Sequence, residues 1–357
     1  MTALLTYLSF AVFGFLAMYF AYKPQCQKYE QTLSFSYAML PMPYIYVIYA
    51  LGSISAFFLL DNSDFIETLT IGRMLTPLIL APVIYLACVF LNARSAFIIT
   101  IGCIALTVWM QPIGEGNAFQ ELPVWLLRLI IIIMASIFCW ESLLNNFIPH
   151  TLLIPQIVIL SGLSIMTFFG ATPVYIALCA AVLIGALSGY LSINFYEVKI
   201  EIDNASAVAI TYMLCSLLLF NIGELCFPSC IILTAIFWAE LIVAICRKWL
   251  IVRNGSLIEN TNCYLAAQNL TVMELTVNMI KVCGIITFIA WFQLYAVNSY
   301  SLIIISLFIA IWLGNSMYLP NGGKRTLKEI NQDFIADLKQ GIADTKEALS
   351  RKRKDNE

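Results

Sequence analysis

Five charged side chains stand where an apolar neighbourhood makes charge expensive. Arg128, Glu141, Glu240 and Lys281 lie inside apolar runs, and Asp203 stands directly before one. Charge within a lipid bilayer is costly and is kept where it faces a protein interior or water. A carboxylate placed there can move a proton, assist a nucleophile or ligate a divalent cation. Arg128 and Lys281 have long stems that can snorkel to an interface, Arg128 toward the neighbourhood of Glu121. Glu141 and Glu240 fall near one end of their runs, and Glu240 is followed by Arg247-Lys248. Both read as sites, or as structural pairs.

The segment 185–206 carries the densest pattern. Gly185 and Gly189 are four residues apart with Ser188 between them, a spacing that lets two helices approach closely. Asn194, Lys199, Asp203 and Ser206 follow in a polar stretch before the next apolar run. An Asp at that position is also a good N-cap, so capping and chemistry both stand open for Asp203.

The elements that must hold these residues are membrane helices. Of 357 residues 61% are hydrophobic and 11% charged, against about 45–50% and about 25% in soluble domains. A soluble core cannot hide this much apolar surface. Spans are expected at 3–22, 37–60, 74–91, 95–111, 124–141, 147–169, 172–194, 205–221, 228–246, 276–296 and 299–318. The fold class is therefore all-α, a polytopic membrane protein with about eleven transmembrane helices. The division is a transmembrane domain over 1–318 and a helical tail over 319–357. The least secure split is between the third and fourth spans, where only Asn92, Ala93 and Arg94 intervene. No small-residue cleavage site follows the first apolar stretch, so no cleavable signal is expected.

Lys and Arg accumulate on the cytoplasmic side of membrane proteins. Here the odd loops carry Lys23, Lys28, Arg94, Lys199, Arg247, Lys248 and Arg253, while the even loops carry only Arg73. Nine of the nineteen basic residues follow Leu319. Loop parity, the basic tail and an odd span count agree on an outward N-terminus and a cytoplasmic C-terminus. In the tail Leu327, Ile330, Phe334, Leu338 and Ile342 recur at three- and four-residue steps, one apolar face of a helix. That helix rests on anionic headgroups, or pairs with a second copy or a membrane protein partner. The eleven Cys show no metal-ligand spacing and read as packing residues. Cys226 and Cys230 flank a short loop and could pair in an oxidising space. Three N-x-S/T sequences, at Asn204, Asn254 and Asn269, fall in loops assigned to the cytoplasm and read as chance. Nothing points to nucleic acid.

At Gly189-Tyr190-Leu191, Asn194, Asp203 and Ser206 the chain resembles the polyprenyl-phosphate N-acetylhexosamine-1-phosphate transferases. The chain is similar to the members that use UDP-N-acetylglucosamine and undecaprenyl phosphate, in length, in eleven spans, in an outward N-terminus and in a basic cytoplasmic tail. The resemblance implies a bacterial inner-membrane protein of cell-surface polysaccharide synthesis. It implies Mg²⁺ held at Asp203, with Glu141 and Glu240 as further acidic groups. Asn194, Lys199, Ser206, Arg247, Lys248, Arg253 and Arg94 would then meet a phosphate or lipid headgroup. Their charges serve topology equally well.

The departures from the family are chemical. Its Asp-Asp pair at the third loop is Asn92-Ala93-Arg94 here, and its acidic run at the fifth loop is Glu141 to His150. Its histidine cluster is missing, since His150 is the single His. Phosphoryl transfer between two anions needs metal and positive charge to offset developing negative charge. One Asp cannot both hold Mg²⁺ and activate the lipid phosphate. The expectation is a degenerate member that binds a lipid carrier, a lipid or a protein partner without turnover, with an active transferase as the alternative. Over about 70 residues Ile148-Pro149-His150 and Gly185–Tyr190 also resemble type IV prepilin peptidases, membrane aspartyl proteases. That reading needs Glu141 and Asp203 to share a proton. A transport or assembly component without enzymatic ancestry completes the alternatives.

Overall fold

A computed structural model describes residues 2–32, 41–60, 68–113, 119, 122–146, 148–194, 202–250, 256–267, 270–295 and 301–318. No strand occurs among the described residues. The helices are α1 (Thr2–Thr32), α2 (Pro41–Leu60), α3 (Thr68–Phe90), α4 (Ala93–Trp109), α5 (Val124–Glu141), α6 (Pro149–Phe168) and α7 (Val174–Ile193). They continue as α8 (Asn204–Leu219), α9 (Phe227–Leu233), α10 (Ala235–Leu250), α11 (Asn262–Ala267), α12 (Val272–Tyr295) and α13 (Ser301–Tyr318). The tail helix expected after Leu319, with Lys199 and Arg253, lies outside the described residues.

A helix covers each of the eleven apolar segments, but length and composition alone qualify six of the described helices as membrane spans. α9 and α10 pass together as a seventh, bent by 50° at Thr234. Shorter apolar helices cover Ala93–Trp109 and Asn204–Leu219. At ~1.5 Å per residue, sixteen residues reach about 24 Å, short of the ~30 Å hydrocarbon core. Large apolar side chains stand bare on many faces, among them Phe20, Phe58, Phe90, Phe288 and Phe308. A soluble monomer rarely exposes apolar patches on this scale; lipid covers them here, in a multi-pass membrane protein.

The narrow gap after α3 is a real corner. Leu91 and Asn92 separate the two helices, and Asn92 caps α4 by accepting the Ser95 N–H at 2.9 Å. A side-chain acceptor at the N-cap satisfies a helix donor that lipid could not.

Contacts at the helix ends show that the helices alternate in direction. Tyr7 near the start of α1 meets Phe168 at the end of α6, and Phe169 meets Tyr295 at the end of α12. At the opposite end Tyr22 of α1 meets Tyr190 of α7, and Phe97 of α4 meets Trp140 of α5. Arg94, Glu141, Asn194, Asp203, Glu240, Arg247 and Lys248, the described residues singled out near the odd loops, lie toward this second end, called here the Asp203 end.

α7 is the central helix, with nearly every side chain buried. Gly185 and Gly189 do what their spacing predicts. A Cβ on Gly185 would strike the Ala11 carbonyl oxygen, and one on Gly189 would lie 2.7 Å from the Phe15 carbonyl oxygen. Gly14 of α1 faces the Val182 carbonyl in the same way. The backbones of α1 and α7 touch because none of these three residues has a side chain. Polar clasps join other helices: Gln156 Nε2 donates to Thr211 Oγ1 at 2.7 Å, and Thr107 and Tyr212 share a 2.7 Å hydrogen bond.

Candidate functional site

The Asp203 end is built from the end of α5, the start of α6, the end of α7, the start of α8, the end of α10 and the segment 256–267. Asp203 is the N-cap of α8. Its Oδ2 accepts the Ser206 N–H at 3.0 Å, and its Oδ1 accepts the Ser206 hydroxyl. Both carboxylate oxygens are thus engaged locally. The capping role raised from sequence is present in the geometry. Asn194 is fully buried at the end of α7 and donates to the Tyr190 carbonyl at 3.3 Å. Asn146 donates to Asn204 Oδ1 at 2.6 Å, tying the loop after α5 to the first residue of α8.

Glu240 is buried in α10. Its Oε2 accepts the N–H of Asn262 at 2.7 Å and that of Cys263 at 3.3 Å. These are donors of the first turn of α11, which no helix carbonyl can satisfy. Thr261 adds a cap to the same turn by accepting the Tyr264 N–H at 3.2 Å. Arg247 donates to the Asn260 carbonyl and to Asn315 Oδ1 of α13, each at 3.1 Å. It also lies within electrostatic reach of Glu240. Glu240 and Arg247 together dock the segment 258–267 between α10 and α13. Lys248 is exposed, as is Arg94 at the first turn of α4.

Glu141 ends α5 and is buried. Asn145 Nδ2 donates to its Oε1 at 2.7 Å. The carboxyl is electrostatically coupled to Glu240. The pair follows from helix register. Phe138 of α5 packs edge-on against Phe237 of α10, with ring centres 5.1 Å apart. Three residues further along each helix, close to one turn, stand Glu141 and Glu240. Asp203 instead lies within electrostatic reach of Tyr85 and Cys88 of α3. The structure thus brings Glu141 to Glu240.

The Mg²⁺ that the resemblance implies needs several carboxylates converging on one point. Among the described residues no three His, Cys, Asp or Glu side chains come together to hold a metal ion. The Asp203 oxygens are taken by Ser206, and Glu240 is taken by the α11 backbone. The residues present do not fit the expected divalent centre, and no step is built on one.

An apolar groove of about 470 Å³ lies between α5, α8 and the bent α9–α10 pair. Ile131, Ala135, Phe138, Leu218, Ile231 and Trp238 line it. Thr234, at the bend, is its one hydroxyl-bearing lining residue. Thr234 Oγ1 donates to the Ile231 carbonyl at 2.8 Å and accepts the Trp238 indole N–H at 3.2 Å. Cys230 also faces the groove, and Cys226, one turn before it, caps α9; both are buried thiols. Glu141 lies one turn beyond Phe138 on the same face of α5, toward the Asp203 end.

The sequence assigns no role to Asn145, Asn260, Asn262 or Asn315. An Asn within or beside an apolar run was the available signal, since a buried amide must find partners. Compared with known proteins, no family model matches the chain and no curated protein gives a significant match.

Proposed function

We propose that this chain is a lipid-binding membrane protein built like the sugar-1-phosphate transferases it resembles, with the groove kept and the catalytic ligands lost. The observation that carries the reading is the apolar groove at the bent span. Its walls suit one lipid or isoprenoid chain entering from the bilayer, with the head directed toward the Asp203 end. Undecaprenyl phosphate is the expected carrier, and Arg94, Lys248 and the basic residues of the seventh and ninth loops supply positive charge for its phosphate. The reading takes the eleven segments as eleven crossings, with the N-terminus outside and the tail in the cytoplasm of a bacterial inner membrane. The shorter helices α4 and α8 then cross with the help of their Asn92 and Asp203 caps and of local bilayer thinning.

Loss of turnover is supported by how the acidic residues are used. Asp203 caps α8, and Glu240 anchors α11. In both, carboxylate oxygens are engaged by these structural partners. The test uses purified full-length protein in vesicles with photoactivatable isoprenoid phosphate. Crosslinks are expected on α5, α8 and α9–α10, with no radiolabelled sugar 1-phosphate transferred from a UDP-sugar. Transfer that disappears in Asp203→Asn would overturn the non-catalytic half of the proposal. Crosslinks spread evenly over all lipid-facing helices would overturn the groove half.

A further inference from the structure

Glu141 is the acidic residue that the fold does not otherwise employ. Its single side-chain hydrogen bond among the described residues comes from Asn145, to Oε1. Its Oε2 is buried and accepts nothing. Asn145 Oδ1 is likewise buried and accepts nothing. A buried acceptor left without a donor or cation costs free energy comparable to a lost hydrogen bond or more. Two such oxygens, on side chains already joined to each other, are open to a donor or a cation.

The surrounding charges agree. Glu240 lies within electrostatic reach of Glu141, and Arg247 is the cation that answers Glu240. That guanidinium is itself directed to Asn260 and Asn315. Glu141 also ends α5, and a helix C-terminus carries partial negative charge that favours cations. The thiols of Cys263 and Cys283, the remaining titratable neighbours from α11 and α12, bring no positive charge.

We propose that Glu141 and Asn145 bind a monovalent metal cation, Na⁺, beside the Glu240 carboxylate. A divalent ion asks for several carboxylates, and none converge here beyond this pair. Sodium is content with one carboxylate supplemented by neutral amide and backbone carbonyl oxygens, the donors that broken or ended membrane helices offer. Bound there, it fixes the end of α5 against α10 and, through Glu240, against α11.

The test uses the full chain in detergent at constant ionic strength, with NaCl exchanged for N-methylglucamine chloride, at neutral and at acidic pH. Radioactive sodium is expected to bind saturably, and Tm is expected to climb with the logarithm of sodium concentration once the site fills. Glu141→Gln removes both effects and leaves Tm insensitive to the exchange. Should that variant fail to fold, Asn145→Leu is expected to weaken sodium binding at least tenfold. Equal stabilisation by either salt, or stabilisation by acid alone with no sodium bound, overturns the proposal. So does sodium binding that survives both substitutions.

Discussion

Glu240→Ala isolates what a buried carboxylate does in this fold. The substitution removes the acceptor for the Asn262 and Cys263 N–H groups and the countercharge for Arg247. A hydrogen bond to a charged group contributes ~1.5–3 kcal/mol. The 2.7 Å bond from Asn262 belongs at the strong end of that range, and the 3.3 Å bond from Cys263 at the weak end. The two bonds together come to about 4–5 kcal/mol. Relief of the repulsion on Glu141 offsets a part, so the net loss should be about 3–4 kcal/mol. At ~1.4 kcal/mol per tenfold, the unfolding equilibrium shifts by two to three orders of magnitude. Glu240→Gln keeps a neutral acceptor and should lose less than half as much. Unfolding in mixed micelles, followed by Trp fluorescence, measures the global effect. Maleimide labelling resolved by peptide gives the local one, because Cys263 is buried and Cys246 is already exposed. Cys263 should become reactive in Glu240→Ala while Cys246 is unchanged. A loss below about 1 kcal/mol with Cys263 still protected would refute the anchoring role.

Asp203→Asn should cost little stability, because Asn and Asp are equivalent N-caps, whereas Asp203→Ala should cost ~1 kcal/mol; Tm of the purified variants separates the two. Gly185→Leu should expel α1 from α7, since even a Cβ strikes the Ala11 carbonyl. Cysteine crosslinking between α1 and α7 should fall by more than half, and an undiminished yield would show that the two backbones do not touch. Ala135→Phe fills the groove from the α5 side, so photoactivatable isoprenoid crosslinking at α9–α10 should drop several-fold with Tm nearly unchanged.

What could be read in advance follows from which physical terms are local. Apolar runs long enough to meet lipid are local, so the helices over all eleven segments were legible. The Gly185–Gly189 spacing was legible because only a missing side chain permits backbone contact between helices. The Asn92 corner was doubtful from composition, yet it rests on a local cap between residues three apart. The Glu141–Glu240 pair was not legible, because it depends on Phe138 meeting Phe237 across ninety-nine residues of chain. The destination of Glu240 was hidden for the same reason. Its partners are backbone N–H groups, which carry no sequence signature at all.

That asymmetry bears on the family resemblance. A motif read along the chain places Asp203, Glu141 and Glu240 on one face and so suggests one centre. Their partners separate them. Asp203 answers to Ser206 and sits toward α3, and Glu240 answers to α11. Glu141 alone keeps a buried oxygen without a donor. A charge pattern can therefore outlast the chemistry it once accompanied, because each carboxylate can be retained for a local structural reason. On the proposed reading, restoring catalysis would require more than adding the missing acidic residues. It would also require freeing Asp203 from Ser206 without unwinding α8. Ser206→Ala removes the hydroxyl donor and leaves the capping N–H in place, so it is the substitution that tests this directly. It should leave the unfolding free energy within about 1 kcal/mol of the parent and confer no sugar 1-phosphate transfer. Transfer appearing in Ser206→Ala would mean that the hydroxyl alone had been silencing a competent site.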